Sequence, residues 1–345
     1  MRVTVLGAGV AGLACALELA ERGATVQVLE RAARLGESSC SWFAGGMLAP
    51  RCERERAEAP IATLGAESLT WWPRRFPGTH LAGSLVLAHG RDSGELTQFA
   101  SRTDRYQRLD ASAIDRLEPD LAGRFSHGLY FPEEGHLDPR AALGALLGQL
   151  ESLGVSVRFA VPEHELAAAR AAGLGRVVDC TGLAAREVLK DLRGVKGEML
   201  IVRMPDIRLS RPVRVLHPRV PVYVVPRDDG HFMIGATMIE SDAAKRISAR
   251  ALLELLSAAY ALHPAFAEAE IVEIGMGVRP AFPDNLPRIE HIGNTVYVNG
   301  LYRHGFLLAP ALAQRVAAEV LSSETASDSA APALRRGTGA AAGAP

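Results

Sequence analysis

A strand that runs without a break into a glycine turn leaves this chain few ways to begin folding. Arg2-Val-Thr-Val-Leu6 is apolar and β-branched, and Gly7-Ala-Gly9-Val-Ala-Gly12 follows at once. Leu13, Leu17 and Ala20 carry an apolar stripe at helical spacing, and Gly23 ends it. A second apolar strand, Thr25 to Leu29, closes on Glu30. Each glycine has a mechanical task in such a unit. Gly7 allows the tight turn, Gly9 lets the backbone approach a pyrophosphate, and Gly12 lets the helix lie close on the strand. The helix N-terminus offers unpaired N–H groups and the positive end of its dipole. Glu30 can accept hydrogen bonds from a ribose, and its charge would repel a 2′-phosphate. Residues 2–30 therefore predict a site for an adenine dinucleotide, with NAD and FAD equally open. The competing reading is a plain glycine-rich turn.

The chain has 345 residues, 48% hydrophobic and 22% charged, with a formal net charge of −1. That length suggests about two domains with a substantial core. Near neutrality gives no electrostatic reason to expect nucleic acid or an anionic membrane as partner. No apolar run approaches the length of a membrane span. The N-terminus enters a strand the fold needs, so no cleavable signal is expected. Cys15, Cys40, Cys52 and Cys180 have neither metal-site nor disulfide-framework spacing. A reduced, cytoplasmic setting is the expectation. From about Ser322 the sequence turns rich in Ala, Gly, Ser and Pro, which predicts a disordered tail.

Nucleotide-type segments recur along the chain with antiparallel-looking segments between them. Asp138-Pro139 is an N-cap and first-turn pair opening a helix to about Ser152. The strand Val155 to Phe159, a short helix from Glu163 and the strand Arg176 to Cys180 follow. Val222–Val225 and Phe232–Ile234 flank Arg227-Asp-Asp-Gly230, a hairpin signal. A helix is expected from Ser248 to Leu262, and the strand Thr295–Asn299 leads through Gly300 to a helix from about Ala309 to Leu321. The expected domains are 1–75, 137–195 and 287–321 for the nucleotide, 76–136 and 196–286 for the substrate, and a tail over 322–345.

Two glycine-containing segments carry the chemistry. Cys40-Ser-Trp-Phe-Ala-Gly-Gly-Met-Leu-Ala-Pro50 is oddly apolar for a surface loop, and its paired glycines permit close approach to a flat ligand. Gly300-Leu-Tyr-Arg-His-Gly-Phe-Leu-Leu-Ala-Pro310 follows a strand and enters a helix, so its N–H groups can face something anionic or electron-rich. With these two stretches, the opening unit, Val195-Lys-Gly-Glu198, Tyr223-Val-Val-Pro-Arg227, Gly235-Ala-Thr-Met238 and Gly277-Val-Arg-Pro280, the chain resembles the D-amino acid oxidase superfamily of flavoproteins. Within it the chain is most similar to the glycine oxidases of thiamine biosynthesis.

The resemblance implies an α/β fold: a Rossmann-like FAD-binding domain of the glutathione-reductase type, interleaved with an antiparallel-sheet α+β substrate domain. It implies FAD contacts from Gly7, Gly9, Val10, Ala11 and Gly12, and from Glu30 and Arg31. Further contacts would come from Cys40 and Ser41, from Gly45, Gly46 and Met47, and from Val161 through its backbone to the adenine. The last set is Gly300, Leu301, Tyr302, Arg303, His304, Gly305, Phe306 and Leu307. Arg279 would grip the substrate carboxylate, Tyr223 and Met238 would line the pocket, and Arg303 would touch substrate from the other side. No metal is implied. Two departures from the family pattern stand out: the stretch Val155–Arg176 is short for the usual β-meander, and Cys40 replaces a hydroxyl residue.

A guanidinium can bind an α-carboxylate bidentately. Fixing that end orients the α-C–H toward the flavin, which takes up hydride and passes electrons to dioxygen. The expected reaction is glycine, dioxygen and water to glyoxylate, ammonia and hydrogen peroxide, with the imine as the useful product for thiazole synthase. Activity should rise toward alkaline pH, because the amine must be neutral. The alternatives are a D-amino acid or sarcosine oxidase, a dehydrogenase feeding a quinone, and a non-catalytic flavin-binding module. A homo-oligomer is expected by family analogy, with neither nucleic acid nor membrane as partner.

Overall fold

A computed structural model describes residues 1–37, 39–171, 175–217, 221–243 and 246–328. The opening unit forms β1 (Arg2–Leu6), α1 (Val10–Glu21) and β2 (Thr25–Leu29). β1 and β2 pair in parallel, Val3 opposite Val26 and Val5 opposite Val28. Gly7 turns the chain at φ +94°, a conformation L side chains rarely adopt, and a Cβ at Gly12 would lie 1.9 Å from the Gly7 carbonyl oxygen. The third glycine thus sets how closely α1 lies on β1.

β1 sits inside a six-stranded sheet in the order Arg288–Ile292, Thr295–Asn299, Arg176–Asp179, β1, β2, Ser156–Arg158. All pairings are parallel except the terminal hairpin of Arg288–Ile292 with Thr295–Asn299. Buried Leu13, Leu17, Leu143, Leu146, Leu308 and Leu312 fill the space between this sheet and the helices α1, Pro139–Ser152 and Gly305–Asp328. Asp138 caps the middle helix, its Oδ1 accepting from the Arg140 N–H at 2.7 Å.

The second sheet has nine strands. Its spine is the antiparallel pair Arg193–Arg203 and Glu270–Ala281, in register from Arg193/Ala281 to Arg203/Glu270 with a bulge at Ile201/Val202. The hairpin Val222–Pro226 and His231–Gly235 turns through Asp229 at φ 56° and Gly230 at φ 71°. Positive φ at both positions is what an Asp-Gly turn provides. One pairing departs from an antiparallel expectation: Val213–Leu216 runs parallel to Ser84–Ala88. Helix Ala249–Leu262, capped by Ser248, packs Leu255 and Leu262 on one face of this sheet. Among the described residues no helix is long and apolar enough to cross a membrane.

The last helix departs from the reading of the sequence at both ends. It starts at Gly305 and continues to Asp328; the remainder of the tail expected from Ser322 lies outside the described residues. Pro310, next to the expected start at Ala309, lies inside it. A proline has no N–H to give the carbonyl four residues back, here that of Phe306. The indole N–H of Trp72 donates to that oxygen at 2.8 Å. Trp72 is fully buried and packs edge-on against Trp71, whose own indole donates to Glu18 at 2.6 Å. Trp72 thus supplies the donor that the proline lacks, and the helix extends four residues further toward its N-terminus. Trp72→Phe, which keeps a ring but loses the donor, should lower unfolding stability by about 1–3 kcal/mol, read from denaturant or thermal unfolding; an unchanged midpoint would remove this account of the helix start.

Candidate active site

Two cavities share the strand Glu270–Ala281 as a wall. The larger, about 570 Å³, runs from the first glycine turn to the entry of the last helix. Gly7, Gly9, Val10 and Ala11 line it with Glu30 and Arg31, and Cys40, Ser41, Leu301, Tyr302 and Gly305 are among its other walls. Its size falls within the range of small-molecule and cofactor sites.

The detail of this cleft fits FAD. A Cβ at Gly9 would stand 3.1 Å from Ser39 Oγ and 3.5 Å from Ser41 Oγ, so the bare backbone leaves an opening flanked by two hydroxyls. Ser41 Oγ accepts from the Val10 N–H at 3.2 Å, and the next amides of α1 have no partner within the helix. Glu30 accepts from the Ala8 N–H at 2.7 Å and the Ala32 N–H at 2.8 Å, one on each carboxylate oxygen. Each oxygen keeps further lone-pair capacity for a ribose hydroxyl. Ser39, which the sequence reading did not single out, stands in the cleft beside Cys40 and offers the hydroxyl that Cys40 lacks. Burial pushes the Cys40 thiol up, although Arg279 pulls against it, so the group is a neutral thiol here.

The remaining residues read as cofactor contacts do not line that cleft. Gly12 packs on Gly7. Gly45 lies under the Tyr223 ring, where a Cβ would come within 3.0 Å, and Gly46 turns at φ +75° against the Leu137 carbonyl. Met47 pairs with His136 in a two-residue strand. Val161 is buried beside Leu6 and Leu29 and gives its N–H to the Glu30 carbonyl at 3.0 Å. Gly300 holds φ +75° with Phe282 against it. Phe306 and Leu307 are core, the latter packed on Gly65. Arg303 and His304 belong to a different cluster.

The smaller cavity, about 70 Å³, is lined by Tyr223, Met238, Arg279 and Arg303 together with Arg214, Arg56 and Glu55. With one water-sized group needing about 10–15 Å³ of such space, it has room for the smallest amino acids. One strand separates the two cavities. Met276, Gly277, Val278 and Pro280 border the cofactor cleft, whereas Arg279 borders the small cavity. The last segment does the same, with Tyr302 on the cleft and Arg303 on the cavity.

Arg279 lies across Gly197 of the neighbouring strand, where a Cβ would come within 2.1 Å of its Nη2, and its Nη1 donates to the Thr237 carbonyl at 3.2 Å. Among the described residues no carboxylate is within ion-pair distance of it. Arg303 and Arg214 are placed differently, because both bind Glu53, at 2.5 and 2.6 Å. His304 Nε2 lies 2.9 Å from the same carboxylate. A carboxylate can only accept, so that nitrogen carries the proton, and burial lowers the His304 pKa, keeping the ring neutral. Burial alone would raise Glu53, yet Arg303, Arg214 and His304 outweigh it and hold the acid well below the usual range.

Neither Glu53 nor Arg214 stood out in the sequence. Arg214 did leave a signal, a lone cation in the apolar strand Val213-Arg-Val-Leu216, placed opposite Tyr223. Glu134 supports the arrangement from behind, accepting the Arg51 and Cys52 N–H groups at 2.8 and 2.7 Å and so holding the turn that carries Glu53. Its second oxygen is buried without a partner, and burial raises its pKa to about 7.

The family model described as DAO, FAD dependent oxidoreductase, matches residues 2–319. A protein of Rhizobium etli named as a thiamine biosynthesis oxidoreductase, ThiO, is 54% identical over 94% of this chain and 98% of its own length. The "Bifunctional protein ThiO/ThiG" of Trichormus variabilis is 30% identical over 91% of this chain, which spans 52% of that longer protein. The crystal structure of glycine oxidase from Geobacillus kaustophilus superposes with a TM-score of 0.76 at 25% identity, covering 93% of this chain and 95% of that one.

The two buried acids should leave opposite marks on stability. Glu53, lowered, contributes stability that is present above its ordinary value near 4.5 and lost as pH falls through its folded pKa. Glu53→Gln should therefore destabilise near neutrality by about 3–5 kcal/mol, with the deficit shrinking in acid. Glu134, raised, contributes stability that is present below 4.5 and lost as pH rises through about 7. Glu134→Gln should gain on the parent protein across that interval. Urea midpoints from pH 4 to 8 decide both; parallel curves for all three proteins would contradict the assignment.

Proposed function

We propose, from the premise that the chain belongs to the DAO family of FAD-dependent oxidoreductases, that this amino acid oxidase acts on glycine and releases the imine that thiazole formation consumes. The observation that carries the substrate class is Arg279, whose guanidinium borders a 70 Å³ cavity one residue away from the wall of the cofactor cleft. An unpaired guanidinium matches one α-carboxylate. Arg214 and Arg303 already share Glu53, which favours a substrate with a single acid over a dicarboxylate. Tyr223 and Met238 close the cavity around a small side chain.

FAD, held by the first glycine turn, Glu30 and the segments at Cys40 and Leu301, supplies hydride acceptance and reactivity with dioxygen. This chain's own residues bind and orient. Arg279 fixes the carboxylate, Thr237 fixes Arg279, and Gly197 leaves the guanidinium its seat. Holding the carboxylate on the strand that also walls the cleft turns the α-carbon toward the flavin side, which is the entropic share of the acceleration. Among the described residues the acids and histidines that line the small cavity are Glu55, Glu95 and His217, and Glu55 is already paired with Arg56 at 2.9 Å and Arg102 at 3.4 Å. The substrate amine must accordingly arrive neutral, so turnover rises toward alkaline pH.

Relatives named ThiO and ThiO/ThiG support the place in thiamine biosynthesis and a hand-off of the imine to the thiazole-forming enzyme. Dioxygen is the acceptor in this reading, with hydrogen peroxide as co-product.

Peroxide release from glycine, sarcosine, D-alanine and D-proline tests the reading, with glycine expected to give the highest kcat/KM; a preference for D-proline would overturn it. Arg279→Ala should raise KM at least about tenfold, the loss of one charge-assisted contact, with FAD retained. Gly197→Ala, which keeps the arginine and crowds its seat, should raise KM in the same direction. Unchanged constants in both variants would refute the grip.

A further inference from the structure

One exposed side chain that lines the small cavity is explained neither by the fold nor by the carboxylate grip. Met238 is 43% exposed, and it is the one methionine among the exposed large hydrophobic residues described. Met199, Met204 and Met233 are core, Met47 is half-buried against the cluster of Met199, Val225 and Met233, and Met276 borders the cofactor cleft. The Met238 sulfur is also approached by two donors. Arg303 Nη1 lies 3.4 Å from Sδ and the Tyr302 hydroxyl 3.6 Å from it. A thioether is a weak acceptor, so two donors aimed at it, one of them cationic, are poorly matched to the side chain as it stands.

They are well matched to its oxidation product. A thioether attacks hydrogen peroxide with a sulfur lone pair; the S–O bond forms, the O–O bond breaks, and the departing hydroxide takes the remaining proton as water. Sulfur is oxidised by two electrons and peroxide is reduced. The new oxygen is a strong acceptor, positioned for the guanidinium and the phenol that already converge on the sulfur.

We propose that Met238 is a peroxide-addressed redox site at the mouth of the substrate cavity, whose sulfoxide is held by Arg303 and Tyr302. Bound there, the oxygen draws Arg303 Nη1 away from the cavity and makes its rim polar and narrower. The oxidant is the co-product of the oxidase reading above, so the proposal rests on that reading for its source and not for its chemistry. Accumulated peroxide thereby lowers the affinity for the amino acid, and methionine sulfoxide reductases, one for each epimer, reverse the change.

The test uses the FAD-loaded enzyme without substrate, exposed to graded hydrogen peroxide, with oxygen incorporation at each methionine read by peptide mass spectrometry. Sulfoxide is expected first at Met238, with KM for glycine raised at least about fivefold, on the scale of one hydrogen bond to a charged group, and restored by the paired reductases. Met238→Leu, compared with its own untreated sample, should keep its KM through the same exposure. Earlier oxidation at Met47 or Met276, or complete oxidation of Met238 with KM unchanged, would overturn the proposal. A parallel sample turning over glycine in air tests the source separately. Absence of peroxide there refutes the oxidase reading, while the added-peroxide result still decides the fate of Met238.

Discussion

One buried carboxylate ties the molecule together. Glu53 sits on a short turn after the first glycine-rich segment, Arg214 on the substrate-side sheet, and Arg303 and His304 at the entry of the last helix. A charge taken out of water is costly unless it is paired and hydrogen-bonded. Here two guanidiniums and an imidazole N–H surround one acid, so each partner is held by the others' need for neutrality. The consequence is positional. Arg303 can border the small cavity without drifting because its other face is fixed, and the same acid keeps Arg214 beside Tyr223. Glu134 repeats the idea in weaker form, gripping the backbone of the turn on which Glu53 stands.

The second constraint is alternation. In an extended strand successive side chains point to opposite faces. Met276, Val278 and Pro280 can border the cofactor cleft while Arg279 borders the small cavity, and no further element is needed to bring the two cavities together. Gly197, across the strand pair, removes the side chain that would otherwise occupy the space of the guanidinium. The adjacency of the two cavities is thus written into the period of a β-ribbon rather than into a loop.

Local physics explains what the sequence disclosed in advance. The strand, glycine turn, helix and second strand of residues 2–30 were legible because every requirement there is met by neighbours. The Asp-Gly hairpin after Pro226 and the Asp138 cap were legible for the same reason. FAD and the amino acid oxidase class came from the resemblance that the motifs carried jointly. Glu53 was not legible, since a glutamate in Pro-Arg-Cys-Glu looks solvated until partners from residues 214, 303 and 304 arrive. Arg303 was expected at the substrate, but no local pattern discloses that half of its hydrogen bonding goes to a buried acid. Likewise the helix start was read at about Ala309, beside Pro310, and the donor that serves the turn before it comes from Trp72, more than two hundred residues earlier.

The order of strands in the first sheet also bears on synthesis. β1 and β2 leave the ribosome early, yet β1 must wait for Arg176–Asp179 on its open side, and that strand in turn waits for Thr295–Asn299. The segment from Leu301 to Gly305 then completes the cleft, while the neighbouring Arg303 and His304 supply the last partners of Glu53. A nascent chain short of this segment has a phosphate cradle with no wall at the flavin end and a buried acid not yet neutralised. The cleft that fits FAD and the neutralised acid beside it are therefore both complete only when residues 301–305 have joined the fold.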